Sequence, residues 1–187
     1  MTGISLRALW LVGSLLAWQS VSAQEVPSGT RTIYLLTSSG EEQPVGTVEF
    51  EPGADGKTQY RIDMDMQRFK DFFLSMKEMK CLEGPDIWCF IPYPYDHPRT
   101  VTADDLRWLE HDLLFMYKRP DEYGANLWNG IYYDMSVDGS VIRGKAGAVD
   151  LNQLAAPPDD LTVPPYGEYD VGELEVSQRW LPVVEIR

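Results

Sequence analysis

Apolar and polar positions alternate with period two over residues 45–50 and 58–66, and Pro52, Gly53 and Gly56 punctuate the stretch between them. Strand side chains point alternately to opposite faces, so each stretch reads as a strand with one buried and one wet side. A β-branched and apolar run over 31–37, ended by Ser38-Ser39-Gly40, precedes them. Together the three predict an antiparallel meander. Residues 131–137 and 140–145 flank Asp138-Gly139, a dipeptide that tolerates the positive φ of a tight hairpin turn, and they predict a second hairpin. The apolar run over 180–186 predicts a last strand, assigned to a sheet edge because Pro182 cannot donate to a ladder.

Two stretches change period. Phe69, Phe72, Phe73, Met76 and Met79 recur at helical spacing, which predicts a short helix over 67–75. Beyond it, residues 76–82 read equally as helix or as the first arm of a hairpin pairing with 87–91. The strongest helical pattern covers 102–118. Thr102 stands where an N-cap would, Asp104 and Asp105 at the positive end of the dipole, Lys118 and Arg119 at the negative end, and Pro120 as a stop. Leu106, Leu109, Leu113, Met116 and Tyr117 mark one face and Trp108 and Phe115 the opposite one, a helix sandwiched between layers. The fold class expected is α+β: an antiparallel sheet of about six to eight strands, flat or curled, with one long helix packed against it and a short second helix.

Both cysteines fall in one small segment. Seven residues separate Cys81 from Cys89, and Gly84-Pro85-Asp86 supplies the chain reversal a ring between them needs. The expectation is a hairpin closed by a disulfide worth about 2 to 3 kcal/mol of loop entropy. A redox or metal pair would favour C-x-x-C, which is absent. Pro92, Pro94 and Pro98 then hold the chain extended. The rings on and near this segment, Trp88, Tyr93, Tyr95 and His97, with Tyr123 and Trp128 from the turn-rich connection after Pro120, are the candidate binding residues: flat rings with polar tips suit a sugar, a peptide or a small apolar ligand. His111, between Glu110 and Asp112, reads as a solvated surface histidine among ion pairs.

Residues 1–23 combine Arg7, an apolar run over 8–18 and Val21-Ser22-Ala23, the pattern of a cleaved signal peptide with the cut before Gln24. Residues 24–187 are expected to form a single domain with an irregular proline-rich segment at about 155–178, where Pro157-Pro158 and Pro164-Pro165 fall. No later run approaches membrane-spanning length, so no span is expected in the mature form. The whole chain carries 29 acidic against 16 basic residues, a formal charge of −13; loss of Arg7 with the leader would make it −14. So acidic a balance disfavours nucleic acid and anionic membranes, whose phosphates are met by Lys and Arg, and leaves an envelope protein or a small ligand as partner.

Chemistry is scarce. The serines lack the contexts of known nucleophiles, the two histidines lie 14 residues apart without a zinc motif, and no glycine-rich stretch opens a helix to cradle phosphate. No metal, cofactor or catalytic residue is expected. Carboxylate pairs remain, with Asp96, Asp104, Asp105, Glu110, Asp112 and Asp134 as candidates for a glycan hydrolase. The reading that results is an exported, periplasmic or secreted, non-catalytic binding or protein-interaction module; the alternative is a carboxylate-dependent hydrolase acting on a glycan. Two carboxylates in one cleft, one with a raised pKa, would favour the hydrolase.

Overall fold

The computed structural model describes residues 24–53, 55–74, 77–167, 169–173 and 179–187; the expected signal peptide, 1–23, lies outside the described residues. Among them the alternating stretches become strands β1 (Gly29–Leu36), β2 (Glu42–Pro52) and β3 (Thr58–Met64). There follow β4 (Lys70–Leu74), β5 (Lys77–Glu83), β6 (Ile87–Phe90) and β7 (Thr100–Val101), then α1 (Arg107–Asp112) and β8 (Phe115–Lys118). The hairpin β9 (Gly130–Asp138) and β10 (Val141–Val149) and the last strand β11 (Val183–Ile186) complete the chain. Every pairing is antiparallel, in the order β4-β5-β6-β8-β9-β10-β11-β1-β2-β3-β7.

The buried face follows the pleat. Ile33 and Leu35 of β1 stand opposite Ile186 and Val184 of β11, which in turn face Ile142 and Gly144 of β10 and, beyond them, Val137 and Met135 of β9. Trp88, Phe115 and Tyr133, all fully buried, interlock at ring-centroid distances of 6.2–6.4 Å. Large rings, Phe115 and Tyr133 meeting edge to face and Trp88 tilted against both, fill the interior on that side. The sheet is curled. Helix α1 touches β7 and β9, which are six places apart in the strand order, and Asp112 of α1 accepts the Tyr60 hydroxyl of β3 at 2.9 Å. Six strands, β9-β10-β11-β1-β2-β3, thus wrap round until the helix spans the gap, and β8, β6, β5 and β4 continue the sheet on the other side of β9.

The α+β expectation is corrected: eleven strands and one six-residue helix make this an antiparallel β architecture among the described residues. The long helix over 102–118 does not form. Thr102 and Asp105 exchange backbone hydrogen bonds in an extended bridge, the helix starts at Arg107 with no side-chain cap, and it ends at Asp112. Leu113 and Leu114, between the helix and β8, and Phe115 and Met116, at the start of β8, are each no more than 1% exposed, and β8 runs between β6 and β9. A strand buried on both faces shows no alternation, and its continuous apolar run mimics helical spacing.

The helix expected over 67–75 does not form over the described residues 67–74, most of which are strand. A single 3₁₀ turn, Met66–Arg68, is capped by Asp65, and the chain then enters β4, where successive phenylalanines part: Phe72 packs on the core and Phe73 stands 76% exposed. Of the two readings left open for 76–82, the hairpin arm is the one realised over the described residues 77–82, as β5 paired with β6. Strand β11 is central, between β10 and β1, and not an edge. Pro182 lies one residue before it and contributes only its carbonyl, which accepts the Ala146 N–H at 2.9 Å, so its missing donor is never called upon. The predicted β9–β10 hairpin stands, with Gly139 at φ 60° in its turn.

Candidate functional site

The ring between the cysteines closes as the spacing implies: Cys81 and Cys89 sit directly opposite across β5 and β6 and are disulfide-bonded. That bond fits a protein exported to an oxidising compartment. None of the helices among the described residues is long and apolar enough to cross a membrane.

The candidate binding rings divide into two sets. Trp88 is fully buried in the sheet interior, and Tyr93 is 6% exposed. Tyr95, half-buried, donates its hydroxyl to the Leu154 carbonyl at 2.8 Å, and the His97 ring stacks on Trp108 at 4.7 Å. Tyr93, Tyr95 and His97 form one packed cluster with Trp108, His111 and Tyr166, apart from Trp88, which packs on Phe115 and Tyr133. Tyr123 and Trp128, by contrast, are 105% and 70% exposed on the connection between β8 and β9.

Helix α1 supplies the polar chemistry: Glu110 and His111 are buried, while Arg107 at its start is exposed. Correcting the reading of His111 as a surface group, the ring is fully buried: the Tyr166 N–H donates to Nε2 at 3.1 Å, so Nδ1 carries the proton and donates to the Arg107 carbonyl at 2.6 Å. Burial pushes its pKa down to about 4, leaving it neutral. His97 is fixed in the opposite sense, accepting the Arg99 N–H at Nδ1 (3.3 Å) and donating from Nε2 to Asp112 at 3.0 Å. With the Tyr60 hydroxyl on its other oxygen, Asp112 ties β3, the proline-rich segment and the helix together. The outer nitrogen of this dyad is already taken by the Arg99 N–H, which leaves it no free position to activate a nucleophile.

Glu110, 3% exposed, accepts the Met135 N–H at 2.7 Å on one oxygen and the Tyr132 hydroxyl on the other. Strand β8 pairs with β9 only over Ile131 and Gly130, so Met135 lies beyond its reach and Glu110 does there what a neighbouring strand would do. Burial raises its carboxyl to about 7 against the pull of those two hydrogen bonds. Glu110 also lines a cleft of about 430 Å³ with Asp104, Asp105, Arg107, Tyr132 and Asp134. There Arg107 grips Asp105 through two N–H groups at 2.8 and 2.7 Å and holds its carboxyl below the usual range. Four of the six sequence-level carboxylate candidates are thus gathered in one cleft; Asp112 is on the helix's other polar contact, and Asp96 is exposed on the proline-rich segment. Among the described residues no group of three or more His, Cys, Asp or Glu is placed to hold a metal ion.

The Tyr123 and Trp128 loop is anchored at both ends. Lys118, buried, reaches the Glu122 carbonyl; Arg119 and Glu122 close a turn through reciprocal backbone and side-chain bonds at 3.1 Å. Gly124 takes a positive φ of 76°, and Asn126 accepts the Trp128 N–H at 3.2 Å. Leu127 packs on the core while its carbonyl accepts the Leu151 N–H at 2.9 Å, so the neighbouring Trp128 is turned to solvent. What the sequence reading missed was Tyr132 and Tyr166 as partners of α1. Tyr132 shows a weak signal in the Ile131-Tyr132-Tyr133 run, where unbroken apolarity means both faces of β9 are covered; Tyr166, in irregular chain, shows none.

No family model matches the chain, and no curated protein or solved structure matches it significantly.

Proposed function

We propose that this is an exported module that acts by binding, with the loop after β8 as its contact surface and without catalysis of its own. The observation that carries this reading is the pair Tyr123 and Trp128, exposed to solvent on a loop tied to the body by the Lys118 ammonium on the Glu122 carbonyl and by the Leu151 N–H on the Leu127 carbonyl. Large aromatic rings held outward lose hydration at low conformational cost when a partner covers them, and Trp and Tyr dominate measured binding hot spots. The disulfide beside this region fits the exported setting. Capture from an envelope extract on the oxidised mature protein, run in parallel with a Tyr123→Ala, Trp128→Ala double variant of equal thermal stability, tests it. A protein or small molecule retained by the first and lost by the second supports the reading; identical retained material from both sinks it.

A second reading is favoured by Glu110, whose raised carboxyl in the acidic cleft is the condition named for a glycan hydrolase. Against it, both Glu110 oxygens are already occupied by donors of the fold. Glycan hydrolysis abolished by Glu110→Gln would establish this alternative in place of the first.

A further inference from the structure

Resting on the binding reading, we infer that the β8–β9 loop receives a basic, extended segment of a partner protein, with lysine or arginine side chains seated over Trp128 and Tyr123. The argument begins with charge. The chain carries −13 overall, and the loop adds no surplus cation: Arg119 is shared between Asp121 at 3.3 Å and Glu122 at 3.4 Å, and Lys118 is 4% exposed with its ammonium on the Glu122 carbonyl. The pairing of Ile87 with Lys118 puts Asp86 at the same end of the sheet as this loop. An anionic partner would meet repulsion here, and a cationic one is steered in.

The second step is ring chemistry. Arginine and lysine bind the faces of Trp and Tyr through the ring quadrupole, and the effect is strongest with tryptophan. This protein already uses the contact internally, with Arg179 over Tyr117 at 4.0 Å and Arg187 over Tyr34 at 4.5 Å. Tyr123 and Trp128 are rings of the same kind, turned to solvent on an anchored loop.

The test uses the full mature protein and two synthetic probes: an arginine- and glycine-rich peptide, and the same peptide with uncharged citrulline in place of arginine. Tryptophan fluorescence and calorimetry should show the arginine peptide bound and weakened about tenfold by Trp128→Ala, a ratio equivalent to about 1.4 kcal/mol. The salt dependence should be unchanged by that variant, since it removes no charge. Trp128→Phe should retain an intermediate affinity. Equal binding of the citrulline peptide would overturn the cationic assignment while leaving Trp128-dependent binding in place. Arginine-peptide binding untouched by Trp128→Ala would show only diffuse attraction to an acidic protein and overturn the inference, as would no binding of the arginine peptide.

Discussion

The β5–β6 hairpin and the α1 seam both close a gap in the chain, and they do so by opposite means. In the hairpin, Cys81 and Cys89 lie eight positions apart and are joined by one covalent bond between facing residues. In the seam, α1 is held to β3 through Tyr60 and Asp112, to β9 through Tyr132, Met135 and Glu110, and to irregular chain through Tyr166 and His111. Those partners lie 22 to 55 positions apart. The hairpin needs only a short loop and a turn; the seam needs the whole sheet to have curled first. A local staple is therefore tolerant of what happens elsewhere, and the seam is where the fold's cooperativity is concentrated.

The sharpest way to break that comparison is His111→Ala, which leaves the Tyr166 N–H without its acceptor and opens a cavity among stacked rings. A loss of about 4 kcal/mol is expected in urea denaturation, and a loss below about 1 kcal/mol would show that the seam is not load-sharing with the core.

A subtler effect lies in pH. Glu110, raised by burial from 4.5 to about 7, keeps its proton in the folded state where the unfolded chain releases it, so its contribution falls as pH rises from about 4.5 to about 7. His111, lowered by burial from 6.5 to about 4, refuses a proton the unfolded chain takes up, so its contribution falls as pH drops from about 6.5 to about 4. The two slopes oppose each other across the same window. The pair should leave wild-type stability nearly flat between about pH 4.5 and 6.5, whereas Glu110→Gln should expose the histidine slope, a gain of about 2 to 3 kcal/mol on raising the pH through that window. Urea midpoints at both ends check this; an Glu110→Gln profile parallel to wild type would rule out the cancellation.

Reducing the disulfide should cost least, about 2.5 kcal/mol, because it frees only a small loop. Far-UV circular dichroism should be retained after reduction and the melting temperature lowered. If the sheet instead unfolds outright on reduction, the staple is not local and the contrast with the seam fails.

Much of the meander, the Asp138-Gly139 hairpin and the cysteine ring was legible because each depends on neighbours in sequence: period-two alternation, a turn dipeptide, a short covalent loop. The helices over 67–75 and 102–118 were misread because Phe72-Phe73 and Leu113-Leu114-Phe115-Met116 carry apolar density on both sides, which a doubly covered strand and a sandwiched helix share. The exposure of the candidate rings was not legible from their residue types. Tyr123 and Trp128 stand on the surface in a connection marked by its turn residues, while Trp88, Tyr93, Tyr95 and His97 joined the packed cluster around Trp108 or the sheet interior.

Residue order alone determined where strands alternate, where the chain turns and which thiols can meet, since those outcomes rest on contacts a few positions apart. Only the tertiary structure decided that Glu110, His111 and Asp112 face inward, that Pro182 borders a central strand, and which rings reach solvent. Burial is a property of what packs against a side chain, and for α1 that material arrives from β3, β9 and the chain around Tyr166, far away along the sequence.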